Sequence, residues 1–294
     1  MKRLAQFHSR SRHHGRYDFK KLISVCPDLK KYVARNQYGD DSIDFADAEA
    51  VKILNTALLM TFYDLSYWDI PANYLCPPIP GRAEYIHQIA DLIKESVNHK
   101  DKVVCLDIGV GANCIYPIVA ASQYKWNCIG SDIDLASVES AQKIVDANDV
   151  LKKRVVIRHQ TNHNNLFAGI IKKNERIDVT ICNPPFYSSK EELEAATARK
   201  NKNLHKGKKD SQSKNFSGQS GELYCEGGEL KFITKMIKES KKYQKNCLWF
   251  TSLVSQESHL KKFYKVLKSI EVREVKTIPM NFGNKKSRIL AWRF

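Results

Sequence analysis

Val103-Val104-Cys105-Leu106-Asp107-Ile108-Gly109-Val110-Gly111-Ala112-Asn113-Cys114 is an apolar run that ends in an acid and two spaced glycines. A short run with no polar face reads as a strand buried on both sides. The glycines let the backbone turn sharply and approach a ligand closely, and a short helix is expected after them at 115–122. Downstream the pattern alternates. Strands are expected at 126–131, 155–157 and 177–182, a helix at 135–148 and a long amphipathic helix at 229–243. Strands at 248–253, 271–277 and 287–294 complete the set. Alternation of this kind reads as an α/β domain with a Rossmann-like, mostly parallel, doubly wound sheet. No helical pattern separates the last two strands, and Pro279-Met280-Asn281-Phe282-Gly283-Asn284 reads as a turn, so the final strand is expected to be antiparallel. Upstream, helices are expected at 44–63, capped by Asp44, and at 83–97. A proline-rich connector, Pro77-Pro78-Ile79-Pro80-Gly81, lies between them. The organisation expected is a basic arm (1–40), a helical extension (41–100) and the α/β domain (101–294).

The glycine loop departs from a dinucleotide fingerprint. Cys114 stands where a third glycine would be, and Asp107 would repel a pyrophosphate. A zwitterionic or cationic nucleoside fits better, and S-adenosylmethionine carries a sulfonium, an amine and a carboxylate. Asp132 ends the second strand, near the usual place, about twenty residues on, for a carboxylate that grips ribose hydroxyls. Asp134 is a near-equivalent candidate.

Asn183-Pro184-Pro185-Phe186 follows the strand at 177–182. This turn suits chemistry on the nitrogen of a planar amide or amidine, whose lone pair is delocalised. The Asn183 side-chain oxygen and the Pro184 carbonyl can each accept a hydrogen bond from the amino group and draw it toward sp3 geometry. Phe186 or Tyr187 can stack on a flat base, and the prolines stiffen the turn.

Composition points to a polyanion. The formal net charge is +16, from 48 basic and 32 acidic residues, and the excess is clustered. Residues 1–35 hold ten Lys/Arg against Asp18 and Asp28. The stretch His8-Ser9-Arg10-Ser11-Arg12-His13-His14-Gly15-Arg16 has almost nothing apolar to bury, and it reads as an arm that orders fully only on RNA. Arg10, Arg12 and Arg16 are its candidate RNA contacts. The α/β pattern breaks over 188–226, a substrate-loop insertion. Residues 199–214 hold seven Lys/Arg against Asp210, with Lys206, Lys208 and Lys209 as candidate RNA contacts. Eight scattered cysteines with no CxxC pair read as reduced thiols of a cytoplasmic protein. Nothing apolar is long enough to span a membrane, and no hydrophobic segment follows the basic start. His159 and His163 have metal-like spacing but no third ligand nearby, so no metal is expected.

These residues resemble the class I, S-adenosylmethionine-dependent N6-adenine methyltransferases. Five stretches in order narrow the likeness: His8 to Phe19, Pro78 to His87, Asp107 to Gly111, Asn183 to Phe186 and Glu222 to Glu229. Together they look like the bacterial RlmF family, which methylates N6 of one adenine in large-subunit ribosomal RNA. A eukaryotic RNA adenine methyltransferase family shares the core. The resemblance implies that Arg82 reaches the methionine carboxylate of the cofactor, that Gly109 and Gly111 pass beneath it and that Asp132 holds its ribose. It implies that Asn183 and Pro184 hold the target amino group while Phe186 stacks on the adenine. One residue of Asn162 to Asn165 would touch the cofactor adenine. Three other functions share these features. A protein-glutamine methyltransferase suits the turn but would not need the basic segments. A DNA adenine methyltransferase would be expected to carry a base-reading segment, and none is evident. A non-enzymatic RNA-binding assembly factor would not need intact motifs. No obligate protein partner is evident.

Overall fold

The computed structural model of the chain describes residues 7–94, 96, 102–189, 191–192, 224–282 and 285–294. Its N-terminal part holds α1 (Phe19–Val25), a hairpin of β1 (Val33–Arg35) and β2 (Asp41–Ile43), α2 (Ala48–Tyr63) and α3 (Ile79–Lys94). A seven-stranded sheet follows, built from β3 (Val104–Ile108), β4 (Asn127–Asp132), β5 (Val155–His159), β6 (Ile177–Cys182), β7 (Cys247–Val254), β8 (Glu274–Phe282) and β9 (Lys285–Arg293). Its spatial order is β5-β4-β3-β6-β7-β9-β8. Neighbours from β5 to β7 pair in parallel, and β9 runs antiparallel to both β7 and β8. Helices α4 (Ile115–Tyr124), α5 (Leu135–Asp146), α6 (Asp149–Lys152), α7 (Gly228–Ser240) and α8 (Leu260–Ser269) complete the domain.

The period of two along β3 builds both layers. Cys105 packs into one apolar cluster with α2, α3 and α4, while Leu106 and Ile108 pack into the other with Ile233 and Met236 of α7 and Phe263 and Leu267 of α8. The chain runs outward from β3 through β4 to β5, then returns to β6 on the other side of β3. The crevice beyond the carboxyl ends of β3 and β6 is therefore the switch point where doubly wound sheets bind ligands.

Several expected boundaries move. α2 starts four residues later than Asp44, because Asp47 caps it by accepting from the amides of Glu49 (2.9 Å) and Ala50 (3.3 Å). Asp44 instead closes a local turn onto the Ala46 amide at 2.8 Å. α3 begins at Ile79, since Pro80 is tolerated in a first turn. α8 was not foreseen. Its apolar residues Leu260, Phe263 and Leu267 recur at helical spacing, and Phe263 and Leu267 are fully buried.

The arm differs most from expectation. His13 is buried, with Nε2 2.8 Å from the Tyr63 hydroxyl and Nδ1 3.0 Å from that of Tyr17. The His8 amide donates to Glu84 (2.9 Å), and Arg10 donates to Asp91 (2.6 Å) and to the His87 carbonyl (3.0 Å). Arg12 donates to the Phe62 carbonyl, and Arg16 pairs with Asp40. Residues 8–16 are thus packed on α2 and α3 and do not await RNA to order them. Charge counting concealed this, because histidine and tyrosine bury flat rings once their polar atoms find partners. All three arginines expected to face phosphate direct an N–H into the protein, although Arg12 and Arg16 stay exposed.

Candidate active site

The glycine loop is held against the end of β4. Gly109 and Val110 donate their amides to the Ser131 carbonyl at 2.8 and 2.9 Å, and the Gly111 amide donates to Asp132 Oδ2 at 2.8 Å. Gly109 and Gly111 have φ of 76° and 63°, a region that favours glycine. A Cβ on Gly109 would meet no atom within 4 Å, so the loop leaves open space beside it. Cys114 takes the third-glycine position with φ 52°, a left-handed residue that starts α4 without a side-chain cap.

That space is part of a cavity of about 490 Å³ lined by Arg82, Gly109, Gly111, Asp132, His163 and Asn183, among others. The N-terminal layer forms one wall. Leu75 and Arg82 line it, and the Trp68 indole donates to the Asn113 carbonyl of the glycine loop at 2.9 Å. Arg82 lies in the first turn of α3 and donates to the Tyr116 hydroxyl at 2.8 Å. Asp107 is buried, and neither carboxylate oxygen has a hydrogen-bond partner among the described residues. Burial pushes its carboxyl well above the usual carboxylate range, Asp132 adds to the shift and Arg82 opposes it. Burial also raises the Asp132 carboxyl, whose other oxygen accepts from the Asp134 amide at 3.0 Å. Asp134 caps α5, accepting from Ser137 and from the Tyr74 hydroxyl. Of the two acids, Asp134 is therefore committed to structure.

Asn183 stands where β6 ends. Its side-chain oxygen is buried without a partner among the described residues, and its residue lines the cavity. Pro185 also lines the cavity; Pro184 is buried and Phe186 half-buried, and neither is among the lining residues. Beneath the turn, the Tyr85 hydroxyl accepts from the Cys182 amide at 3.3 Å and lies 2.8 Å from Thr251 Oγ1.

A brace holds the turn from the other side. Tyr187 bridges Tyr224 in parallel, and the Cys225 amide donates to the Tyr187 carbonyl at 3.1 Å. Gly228 follows with φ 56°. A Cβ there would lie 3.1 Å from the Ser188 nitrogen and 3.3 Å from the Phe186 oxygen, so only glycine fits comfortably. Glu229, fully buried, accepts from the amides of Ser255 (2.6 Å) and Gln256 (3.3 Å) and lies 2.9 Å from His259 Nδ1. It ties α7 to the end of β7.

Arg82, Gly109, Gly111, Asp132 and Asn183 thus meet around one cavity, with Asp107 buried beside Arg82 and Asp132. Lys206, Lys208 and Lys209 lie outside the described residues. Tyr116, Gln160 and Tyr224 line the cavity without having been singled out in the sequence. Tyr116 gave no signal because one polar atom on an apolar helix reads as core. In the stretch 162–165, His163 and Asn165 reach the cavity. Among the described residues no group of three or more His, Cys, Asp or Glu is placed to hold a metal, and no helix is long and apolar enough to cross a membrane.

Over residues 1–294 the chain matches the family described as RNA methyltransferase. It belongs to that family. Ribosomal RNA large subunit methyltransferase F of Bacteroides fragilis is 52% identical over 301 residues, covering 98% of each chain, and that of Bacteroides thetaiotaomicron is 53% identical over 302 residues. The human Mettl16 catalytic domain in complex with MAT2A 3′UTR hairpin 1 superposes with a TM-score of 0.83 at 29% identity, covering 99% of this chain and 96% of that one. The N-terminal domain of human METTL16 in complex with SAH gives 0.77 at 27% identity over 98% of both. The chain is an S-adenosylmethionine-dependent RNA methyltransferase with the class I fold.

Proposed function

We propose that this enzyme methylates N6 of an adenine in large-subunit ribosomal RNA. The observation that carries the reading is the Asn183 side-chain oxygen, buried, unpartnered and beside the cavity. A buried acceptor without a donor costs stability unless a ligand supplies one. An exocyclic adenine amino group does so. The near half-identity to proteins named for large-subunit rRNA, over almost the whole of both chains, supports the choice of RNA.

The residues present fit S-adenosylmethionine. Arg82 would meet its carboxylate, the orphaned Asp107 carboxylate its ammonium, Asp132 its ribose, and the open side of Gly109 leaves it room. When bound, the cofactor supplies an activated methyl on a sulfonium, so no protein nucleophile is required. The chain's own work is positioning. Asn183 and the Pro184 carbonyl accept from the target amino group and localise its lone pair, Phe186 stacks on the base, and Tyr187–Tyr224 with Gly228 keep the turn rigid. No protein base is needed, since the amino nitrogen becomes cationic on gaining the methyl group and is then acidic enough to lose a proton to water.

The test is a labelled-cofactor assay with large-subunit rRNA, DNA and protein substrates, followed by mass spectrometry of the nucleosides. N6-methyladenosine from rRNA alone is the expected result; label in glutamine or DNA would sink the reading. Asn183→Ala should reduce kcat on the order of a hundredfold with cofactor affinity nearly unchanged. Near-normal single-turnover methylation would remove Asn183 from the mechanism.

A further inference from the structure

α8 carries Lys261, Lys262, Lys265 and Lys268 and no acid, and all four are exposed. None of them has an ion-pair or hydrogen-bond partner among the described residues. Its neighbour α7 and the turn after it add exposed Lys238, Lys242 and Lys245. The acids of this face are already engaged. Glu229 and Glu239 accept from backbone amides, Glu226 pairs with Lys231, Glu271 with Lys241 and Glu257 with Arg288. The Lys241–Glu271 contact, 3.3 Å, joins the far ends of the two helices, so the lysines of both lie on one continuous surface.

Two features set this surface apart from a solvated face. Lys261, Lys265 and Lys268 fall at i, i+4 and i+7, one stripe of a helix, where like charges repel by a few tenths of a kcal/mol per pair. Nothing among the described residues relieves that repulsion. Tyr264 is exposed among them at 42%, its hydroxyl 2.7 Å from Thr277 Oγ1. The surface also begins at the reaction site, because α7 starts at Gly228 against the Asn183–Phe186 turn. From there α7 runs away for about 20 Å at 1.5 Å per residue.

We propose that the α7–α8 face is a second RNA-binding surface. It takes the phosphate backbone of a structured RNA segment flanking the target adenine, in addition to whatever holds the adenine itself. The inference rests on the RNA-substrate reading above and adds where the rest of the substrate lies. Lysines that grip backbone give affinity and placement without sequence readout.

The experiment compares wild type with Lys261→Gln/Lys265→Gln/Lys268→Gln by filter binding to a long structured rRNA transcript and to a short single-stranded oligonucleotide holding only the target loop. The slope of log affinity against log salt should flatten by about two for the long RNA, the loss of three phosphate contacts, and hardly change for the short one. Affinity for the long transcript near physiological salt should fall at least about tenfold. Cofactor binding, thermal melting and the single-turnover rate at saturating RNA should stay as in wild type, and a Lys→Arg triple variant should restore the slope. An unchanged slope in the folded variant overturns the proposal. So does loss of binding to phosphatidylglycerol vesicles with RNA binding intact, which would make the face a membrane contact. The binding readout needs no turnover. A wild type that methylates rRNA while the slope stays fixed refutes this surface alone, and one that shows the slope change without methylating rRNA refutes the substrate reading alone.

Discussion

His13 makes the folded arm testable by pH. Its imidazole is buried against α2 with both nitrogens directed at tyrosine hydroxyls. Burial holds its pKa down at about 4, and Arg12 and His14 push the same way. An unfolded histidine titrates near about 6.5. Because the folded pKa is the lower one, the native state binds fewer protons, so stability is complete above about 6.5 and is lost as pH falls toward 4. Integrating between these values, His13 removes on the order of 1 kcal/mol at pH 5.5 and on the order of 2 to 3 kcal/mol at pH 4.5. His87, also held near 4 by burial with His8 and Arg10 contributing, acts in the same window. Asp107 and Asp132 act with the opposite sign, since their raised carboxyls favour the native state as pH falls. Wild type alone therefore reports a sum. The His13→Gln variant isolates one contribution, since it keeps every other group. Urea unfolding followed by tryptophan fluorescence at pH 7.5 and 5.5 should show a decline in stability on the order of 1 kcal/mol smaller in the variant than in wild type. Parallel declines would mean that His13 is protonated or solvated in the native state, and the packed arm would be refuted with it.

Gly109→Val should abolish measurable S-adenosylmethionine or S-adenosylhomocysteine binding by calorimetry, because its side chain fills the open side of the loop and strains a φ of 76°; a folded variant with wild-type affinity would remove the loop from the cofactor site. Gly228→Ala places a methyl 3.1 Å from the Ser188 nitrogen, so it should slow single-turnover methylation on the order of tenfold while leaving cofactor affinity unchanged. Equal rates would show that the turn does not depend on this brace.

The central strands of the sheet were legible because they are largely buried and rich in apolar residues, and Ile177–Cys182 matched to the residue. The Asn183 turn and the glycine loop were legible because proline and glycine fix backbone shape locally. What failed has a common cause. His13, Glu229 and Tyr116 are polar side chains whose value lies in partners far along the chain: Tyr63 is 50 residues from His13, and Ser255 is 26 from Glu229. Local pattern scores such residues as surface or as core, and neither describes a buried group with a satisfied hydrogen bond. α8 was missed although Leu260, Phe263 and Leu267 recur at helical spacing among four lysines, a pattern that was legible in the sequence.

The arm and the cofactor cavity are linked through α3. His8 and Arg10 bond Glu84, His87 and Asp91, and Arg82 sits at the start of that helix, one turn or less from Glu84. The Tyr85 hydroxyl on the same helix reaches the Cys182 amide, the residue before Asn183. One helix therefore carries the arm's anchor, a guanidinium that lines the cavity and the support beneath the Asn183 turn. Its rigidity is what a positioning enzyme requires, since misplacement by about 1 Å can cost on the order of a hundredfold in rate. The basic N-terminal segment is then better understood as a structural clamp on α3 that also presents Arg12 and Arg16 at the surface. Its charge suits RNA, while its histidines and arginines also tie it to the helix that carries Arg82.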